Sequence, residues 1–347
     1  MAGRNFILFI FIFLYIFNFS YSKDFEYKFG RGFKINDVVI GGYSAFIYEH
    51  SLDNNYKKFN FEEFAILGFW NLNEKLKFFS ELEFKDIFVR ASNKEENRDF
   101  TLRKIEINRL YLNYIHNDYL KFRIGRFITP LGYWNPIYVI VLRWTTSNPV
   151  TSIEFYPRFI TGIRTFGFLP IQDDSWSYDI VIQAGKQING DNNSVITKDF
   201  YAFQLKKFFW ENSAFGITGG FLKKKENNEK VRFVGFNMNV KKKKYELTLE
   251  YFYSRDKLGN LPEYSKYSYY LQGVWRFMPK NYLIGRIELF KDFSDGKNQK
   301  NYVIGYNFRP IYPVSIKVEY IRTYNELKEG RFNEWSNRIL TSLSVLF

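Results

Sequence analysis

Charged side chains recur at every second position of several apolar segments, and this spacing limits the chemistry that they can do. In residues 75–88, Lys77, Glu81 and Glu83 alternate with leucine, phenylalanine and serine. In residues 245–253, glutamate and threonine alternate with tyrosine and leucine in the same way. Charges spaced like this can attract or repel ions over a wide surface. They include no nucleophile beside a base, so the pattern indicates electrostatics rather than covalent catalysis.

Catalytic and metal-binding sets are missing from the sequence. A serine hydrolase needs a histidine near its serine, held by an orienting partner. The chain has two histidines, His50 and His116, and they fall at opposite ends of predicted strands. It has no cysteine, so neither a disulfide framework nor a thiolate metal site can form. We therefore expect no enzymatic activity, no metal, no cofactor and no nucleic-acid partner.

The alternation itself identifies the elements that carry these charges. An apolar period of two with a charged second face is typical of a β-strand that has lipid on one side and water on the other. Such runs recur along the whole chain without a linker or a shift in composition. They predict an all-β fold, a transmembrane antiparallel up-and-down β-barrel of about 16 strands. The predicted strands start near residues 38, 61, 75, 103, 119, 158, 177, 200, 213, 231, 244, 267, 282, 300, 314 and 337.

Strand parity then assigns the side chains that face water in the lumen. Four of the basic ones come from strands four to six, and the acidic ones lie mainly on other strands. Opposed basic and acidic walls would set a transverse field across the lumen; alternatively, the charges pair with one another and merely hydrate the barrel. The predicted basic members are Lys77, Arg109, Lys121, Arg123, Arg164, Arg276, Arg286 and Lys317. The predicted acidic members are Glu81, Glu83, Glu246, Glu250, Glu288 and Glu319.

The links between the predicted strands alternate between long and short. If both chain ends are periplasmic, the long links are extracellular and the short ones periplasmic. The third long link, residues 128–157, is the longest, and a loop of this length is more often functional than not. Its apolar side chains favour packing against the barrel wall, which would make it a constriction loop; an ordinary cap over the barrel mouth is the alternative. The candidate constriction residues are Tyr133, Trp134, Arg143, Trp144 and Glu154.

The first 22 residues have the features of a secretory signal peptide. Arg4 supplies the positive start, an unbroken apolar run follows from Phe6 to Phe17, and small residues stand at Ser20 and Ser22. That run is too short to cross a bilayer as a helix. We expect residues 1–22 to be removed and residues 23–347 to form the barrel.

The composition supports a barrel and leaves the meaning of its charge open. Aromatic residues make up 21% of the chain although only 46% of it is hydrophobic. A barrel places aromatic residues on its lipid face and in two interfacial belts, whereas a soluble domain would need a larger apolar core. The formal net charge is +14. This excess favours anions in a pore, or it reflects a genome rich in A and T, which enriches lysine together with Asn, Ile, Phe and Tyr.

A stretch just before the longest link resembles bacterial porins. Residues 124–132 read IGRFITPLG and are similar to the stretch IG-x-F-x-x-P-[LF]-G seen in many porin-like proteins, including phosphate-selective ones. The resemblance covers about 40 residues and extends to Pro157. It implies an outer-membrane porin of a Gram-negative bacterium, with passive diffusion of ions and small hydrophilic solutes. It supports a porin much more than it supports phosphate, and the expected preference for anions, with phosphate among them, rests on the positive charge. It also implies a homotrimer and contact with outer-membrane lipid and lipopolysaccharide.

The C-terminus resembles the signal that the barrel assembly machinery reads. Leu343, Val345 and the terminal Phe347 share one face of the last predicted strand. The family often has glycine where this chain has Ser342, so the match is incomplete. A terminal aromatic on an alternating strand implies the assembly machinery as a partner.

Two other functions stay open at this point. A non-conducting barrel could act as a structural or adhesion protein of the surface, although most of the predicted loops are short for an adhesin. A transporter of hydrophobic substrates would need an N-terminal hatch, for which residues 23–36 are too few, and an apolar lumen. Lysine clusters at 223–225 and 241–244 are typical of solvated turns, and the first could also bind lipopolysaccharide phosphates.

Overall fold

Strands make up most of the chain that the structure describes. The structure is a computed structural model, and it describes residues 25–100, 104–171, 175–185, 195–210, 213–294, 296–326 and 334–347. The predicted signal peptide lies outside these ranges. None of the helices within them is long and apolar enough to span a bilayer. The elements are β1 Phe25–Lys28, β2 Gly32–Ile35, β3 Val38–Ser51, β4 Lys57–Asn71, β5 Leu76–Ala91, a 3-10 helix Lys94–Glu96, β6 Lys104–Ile115, β7 Lys121–Ile128, α1 Thr151–Glu154, β8 Phe159–Phe168, β9 Trp176–Gln183, β10 Thr197–Phe209, β11 Ser213–Lys224, β12 Lys230–Lys241, β13 Tyr245–Lys257, β14 Tyr264–Met278, β15 Asn281–Asp292, β16 Asn298–Phe308, β17 Val314–Glu326 and β18 Glu334–Leu346.

The sixteen strands from β3 to β18 form one closed antiparallel sheet. Each pairs with its neighbours in the chain, and β18 returns to pair with residues Tyr43 to Ser51 of β3. Closure pairs the edges that an open sheet would expose to hydrocarbon. The predicted strand number and the up-and-down order are confirmed. The largest shift of a start is at β4, which is expected near residue 61 and begins at Lys57.

The outer face of the closed sheet is apolar and the inner face is polar. Ile124 and Ile304 occupy outer positions, and 69% of the surface of Ile304 is exposed. Asn237 and Gln272 occupy inner positions and are buried. An apolar exterior around a polar interior is the arrangement that a bilayer requires of a spanning barrel. The predicted alternation between lipid-facing and lumen-facing positions is therefore confirmed.

A short N-terminal hairpin, which the sequence pattern does not predict, extends the sheet beside the closure. β1 pairs with β2, and β2 pairs with residues Val38 to Ile40 of β3, next to the stretch that β18 occupies. Gly32 permits this approach, because it has a φ of 82° and an added Cβ would lie 2.2 Å from the carbonyl oxygen of Ile40. The hairpin thus continues the line of β18 along β3.

The links are shorter than the sequence predicts on the side expected to be extracellular. Residues 52–56 join β3 to β4 and residues 258–263 join β13 to β14, where the sequence predicts long links. The strict alternation of long and short links is wrong, since residues 293–297 and 309–313 form links of equal length. The reason is that the paired strands continue beyond the apolar belt, where polar side chains hide the strand pattern.

The last residue closes the seam between β18 and β3. The main chain of Phe347 exchanges two hydrogen bonds with Gly42, at 2.8 and 2.9 Å. Its ring stacks on Phe64 with the ring centres 5.5 Å apart. Leu343, which shares the outer face of β18, is exposed. The terminal residue therefore joins β18 to both β3 and β4.

We predict that deletion of Phe347 lowers the yield of folded barrel several-fold. The truncated chain loses the ring contact and both hydrogen bonds at the seam, and it also loses the aromatic end of the predicted assembly signal. Folded and unfolded barrels in isolated membranes can be separated by their different mobilities on unheated gels. Phe347→Tyr keeps the ring and the main chain and should fold normally. Equal folding of the deletion variant and the wild type would contradict this role.

Candidate functional site

The link from residue 129 to residue 158, here called the inner loop, folds into the barrel. Leu131, Trp134, Val141 and Tyr156 are each less than 5% exposed, although they lie in the longest link of the chain. The loop includes the single turn α1. It therefore occupies the lumen rather than capping the barrel mouth, and the predicted packing against the wall is confirmed.

Carboxylates of the wall accept hydrogen bonds from the main chain of the inner loop. Glu250 on β13 accepts the backbone N–H groups of Tyr133 and Trp134, the latter at 3.2 Å. On the same strand, Glu246 accepts the hydroxyl of Tyr133 at 3.0 Å. Because backbone N–H groups removed from water need acceptors, Glu250 satisfies the main chain at the beginning of the loop, and Glu246 adds a bond to the side chain of Tyr133.

A second pair of carboxylates holds the far side of the inner loop. Glu319 on β17 accepts the N–H groups of Thr146 and Ser147 together with the Ser147 hydroxyl, which lies 2.6 Å away. Glu288 on β15 accepts the N–H group of Val150 at 3.0 Å. Hydrogen bonds to a charged acceptor are stronger than neutral ones. The loop is thus attached to the wall on both sides of its middle.

Two basic residues complete these attachments. Arg286 donates to the Thr145 hydroxyl at 2.6 Å, to the Ser147 hydroxyl at 2.7 Å and to Glu288 at 2.6 Å. Lys317 donates to the carbonyl oxygen of Ile140 and is fully buried. Six charged residues that strand parity predicts to face the lumen do face it. They contact the inner loop, however, and not water. The six are Glu246, Glu250, Arg286, Glu288, Lys317 and Glu319.

On β5, Glu81 and Glu83 are buried, and both accept hydrogen bonds. Glu81 accepts hydrogen bonds from Arg109 and from the Tyr43 hydroxyl, the latter at 2.5 Å. Glu83 accepts the hydroxyl of Tyr138 from the inner loop at 2.9 Å. Burial, and then the charge of Glu83, raises the pKa of Tyr138 well above its usual value. The hydroxyl therefore stays protonated and remains a donor to Glu83.

Apolar packing adds to these polar attachments before the middle and at the end of the inner loop. Tyr138, Val139 and Val141 pack in one buried cluster with Tyr43 on β3 and Ala65 on β4. Phe155 and Tyr156 pack in another cluster against phenylalanines of the wall, including one on β13 whose ring centre lies 5.2 Å from that of Tyr156. Burial of large aromatic side chains is a major source of stability, so the loop is fixed by packing as well as by hydrogen bonds.

An eccentric cavity of about 220 Å³, here called the basic cavity, lies between the inner loop and the wall from β6 to β10. Each of these five strands contributes one charged side chain. Ile128, Pro130 and Pro136 form the side made by the loop and its entry strand. The charged residues are Arg109, Arg123, Arg164, Asp179 and Lys206.

Positive charge exceeds negative charge in the basic cavity. Arg109 pairs with Glu81 outside its lining, and Arg164 donates to Asp179 at 2.6 Å. Four cations less these two carboxylates leave two positive charges. They belong to Arg123 and Lys206, since no carboxylate within the described ranges forms a salt bridge with either.

Arg123 is held by uncharged groups. Its Nε donates to the Asn113 side-chain oxygen at 2.8 Å, and its guanidinium lies 3.8 Å from the centre of the Tyr111 ring. Arg123 also stands directly opposite Arg164 in the pairing of β7 with β8. Like charges opposite each other destabilise a sheet, and this cost makes the pair a candidate for function.

The remaining predicted residues lie apart from the basic cavity. Lys121 shares the inner face of β7 and pairs with Asp118 at 3.3 Å, and Arg276 is half-buried at the end of β14 near a short link. In the inner loop, Arg143 is buried close to Trp134, with 5.9 Å between its guanidinium and the ring centre. The other two predicted constriction residues, Trp144 and Glu154, are half-buried; Trp144 lies 4.8 Å from the ring of Tyr282.

Sequence reasoning missed Lys206 and Asp179. Parity could have identified Asp179, because it alternates with Ile180 and Ile182, which are exposed on the outer face. Parity could also have identified Lys206, because it follows Gln204 by two positions while the apolar Phe203 and Leu205 lie on the other face. The structure agrees, since Gln204 is buried and stands opposite Asp179 in the pairing of β10 with β9.

Comparison with known proteins gives a likeness of structure without a likeness of sequence. No family model matches the chain, and no curated protein sequence matches it. Among solved structures, the anion-selective porin from Comamonas acidovorans has a TM-score of 0.66 at 10% identity, over 89% of this chain and 99% of that one. OmpF of Salmonella typhi, in complex with daunomycin, has a TM-score of 0.67 at 11% identity, over 93% and 100%. A trimer form of OmpT, an outer-membrane protein of Vibrio cholerae, has a TM-score of 0.65 at 10% identity, over 89% and 99%.

These identities are too low to carry a substrate or an activity from those proteins to this chain. The likeness nonetheless extends over nearly the whole barrel, and it agrees with the strand count, the closure and the apolar outer face. The chain therefore has the fold of the outer-membrane porins and is a porin-like, sixteen-stranded transmembrane β-barrel.

Proposed function

We propose that the chain is a porin in the outer membrane of a Gram-negative bacterium and gives passive passage to ions and small hydrophilic solutes, with a preference for anions. The observation that carries this proposal is the basic cavity beside the inner loop. The loop is bonded to β5, β13, β15 and β17 and leaves the basic cavity beside β6 to β10, so the proposed passage runs there, past Arg123 and Lys206. Conduction of this kind needs neither a cofactor nor catalysis, and we propose no enzymatic activity.

The preference for anions follows from the charge beside the passage. Two cations without carboxylate partners, set in a narrow and partly desolvated space, raise the local concentration of anions and repel cations. Asn113 and the ring of Tyr111 hold Arg123 without neutralising it. Phosphate is one anion of suitable charge. The name of the Comamonas acidovorans structure, an anion-selective porin, agrees with this assignment.

The surroundings of the barrel belong to the same proposal. Residues 1–22 act as a signal peptide, the assembly machinery reads the strand that ends in Phe347, and the first and last strands of the barrel begin and end at its periplasmic rim. Lipopolysaccharide surrounds the opposite rim. The trimer form among the comparison structures supports a homotrimer. A non-conducting structural or adhesion protein is the rival function, and a conductance measurement separates the two.

We predict that Arg123→Gln combined with Lys206→Gln lowers the ratio of anion to cation permeability several-fold. The double variant removes the two unpaired charges and keeps side chains of similar length. Reversal potentials in planar bilayers under a potassium chloride gradient measure the ratio. Lys257→Gln, an exposed residue at the end of β13, is the control and should leave the ratio unchanged. Absence of stable channels from the wild type would reject conduction, and an unchanged ratio in the double variant would reject the basic cavity as its selective part.

A second prediction concerns the attachment of the inner loop. Glu319→Gln turns one of two acceptor oxygens into a donor that faces the N–H groups of the loop, at a cost of about 1.5 to 3 kcal/mol for lost charge-assisted hydrogen bonds. We expect faster hydrogen exchange of the amides between residues 140 and 150, together with noisier single-channel currents. Glu74→Gln, in an exposed link, is the control. Unchanged exchange in the Glu319 variant would show that the carboxylate does not hold the loop.

A further inference from the structure

The outer face of the barrel has a notch where two glycines meet. Gly273 on β14 pairs directly with Gly285 on β15, and an added Cβ at either would meet no atom within 4 Å. In the same row across the sheet, the flanking residues are Leu247 on β13 and Ile304 on β16. Two neighbouring strands therefore present no side chain at one level of the lipid face.

The notch is apolar and open to the bilayer. It has a volume of about 470 Å³. Tyr245, Trp275 and Leu283 line it towards the nearby rim, and all three are exposed. Glycine inside a strand weakens the strand, and it often marks a place where a ligand or another chain comes close. The paired glycines thus indicate that another molecule fills the notch.

A group of lysines borders the notch at the rim. Lys242, Lys243 and Lys244 form the link from β12 to β13, and Lys280 lies in the next link on the same rim, between β14 and β15; all four are exposed. No carboxylate within the described ranges forms a salt bridge with any of them. Lys242 also lies 4.5 Å from the ring centre of Trp210. The rim next to the apolar notch is therefore strongly basic.

The distance between the two features matches a lipid. Gly285 follows the first residue of β15, Asn281, by four positions, which is about 13 Å along a strand. That depth lies within one leaflet, whose hydrocarbon is about 15 Å thick. Tyr245 and Trp275 stand between the lysines and the notch, where aromatic side chains favour the level of the headgroups. One phospholipid is thus long enough to place its phosphate at the lysines and its acyl chain in the notch.

We propose that this face binds an anionic phospholipid of the leaflet next to the short-link rim, with its acyl chain in the glycine notch and its phosphate at Lys242, Lys243 and Lys244. A zwitterionic phospholipid would fill the notch equally well, but the basic rim gives it no net attraction. The site is separate from the lumen. It depends on the barrel spanning a bilayer and not on what the barrel conducts.

Fluorescence quenching of Trp275 tests the proposal directly. The full barrel is reconstituted in phosphatidylcholine vesicles that contain a minor fraction of phosphatidylglycerol, with bromine on the acyl chains of one lipid or the other. The Trp275 signal is the difference between the wild type and Trp275→Phe. We expect brominated phosphatidylglycerol to quench Trp275 several-fold more than its share of the lipid accounts for. Quenching in proportion to its share would overturn the proposal, and so would the absence of quenching by either lipid, since another copy of the chain would then cover the notch.

Two sets of variants separate the headgroup from the acyl chain. The triple variant Lys242→Gln, Lys243→Gln, Lys244→Gln should reduce quenching to the share of phosphatidylglycerol. The matched control changes Lys223, Lys225 and Lys230 to Gln at the opposite rim and should change nothing; an equal loss in the control would overturn the proposal.

Gly273→Leu with Gly285→Leu should expel the chain and lower quenching although the lysines remain; undiminished quenching would contradict the notch. Conductance is measured in the same preparations. If the preparations show no conductance while selective quenching persists, the proposed pore is rejected and the lipid site stands.

Discussion

Pairing of every main-chain polar group within hydrocarbon is the constraint on which the rest of this structure depends. No water is present there to bond a free strand edge, so β18 must return to β3, and its final residue completes the seam with Gly42. Once the sheet closes, successive side chains can point only to lipid or to the lumen. The apolar belt, the polar interior and the position of each charge then follow from strand register.

The inner loop brings the same constraint into the lumen. About thirty residues leave the wall at β7 and return at β8, and their N–H groups lose water when the loop packs inside. Glu250, Glu288 and Glu319 supply the acceptors. Carboxylates suit this task because each offers two oxygens and a full charge to several donors. The loop is consequently held at β5 as well as at β13, β15 and β17, and the basic cavity is left only beside the wall from β6 to β10.

The sequence predicts those features that depend on side-chain alternation alone. Sixteen strands and the lipid-facing position of Leu343 follow from a period of two. Packing of the long link also follows, because its apolar run could not stay in water. The hairpin of β1 and β2 could not be predicted, because four residues are too few to show a period. Lys206, by contrast, is within reach of the same pattern, since it follows Gln204 by two positions while Phe203 and Leu205 lie on the other face.

Parity alone also could not tell which lumen charges meet water, and this bears on the large positive charge of the chain. A genome rich in A and T would scatter lysines without regard to position, and the exposed lysines at the rims, apart from those beside the glycine notch, fit that explanation. The basic cavity does not fit it, since two of its three arginines, Arg123 and Arg164, stand directly opposite each other, where like charges destabilise a sheet. The acids that could have neutralised the lumen are bound to the inner loop instead. The excess of positive charge in the basic cavity thus follows from where the loop is held.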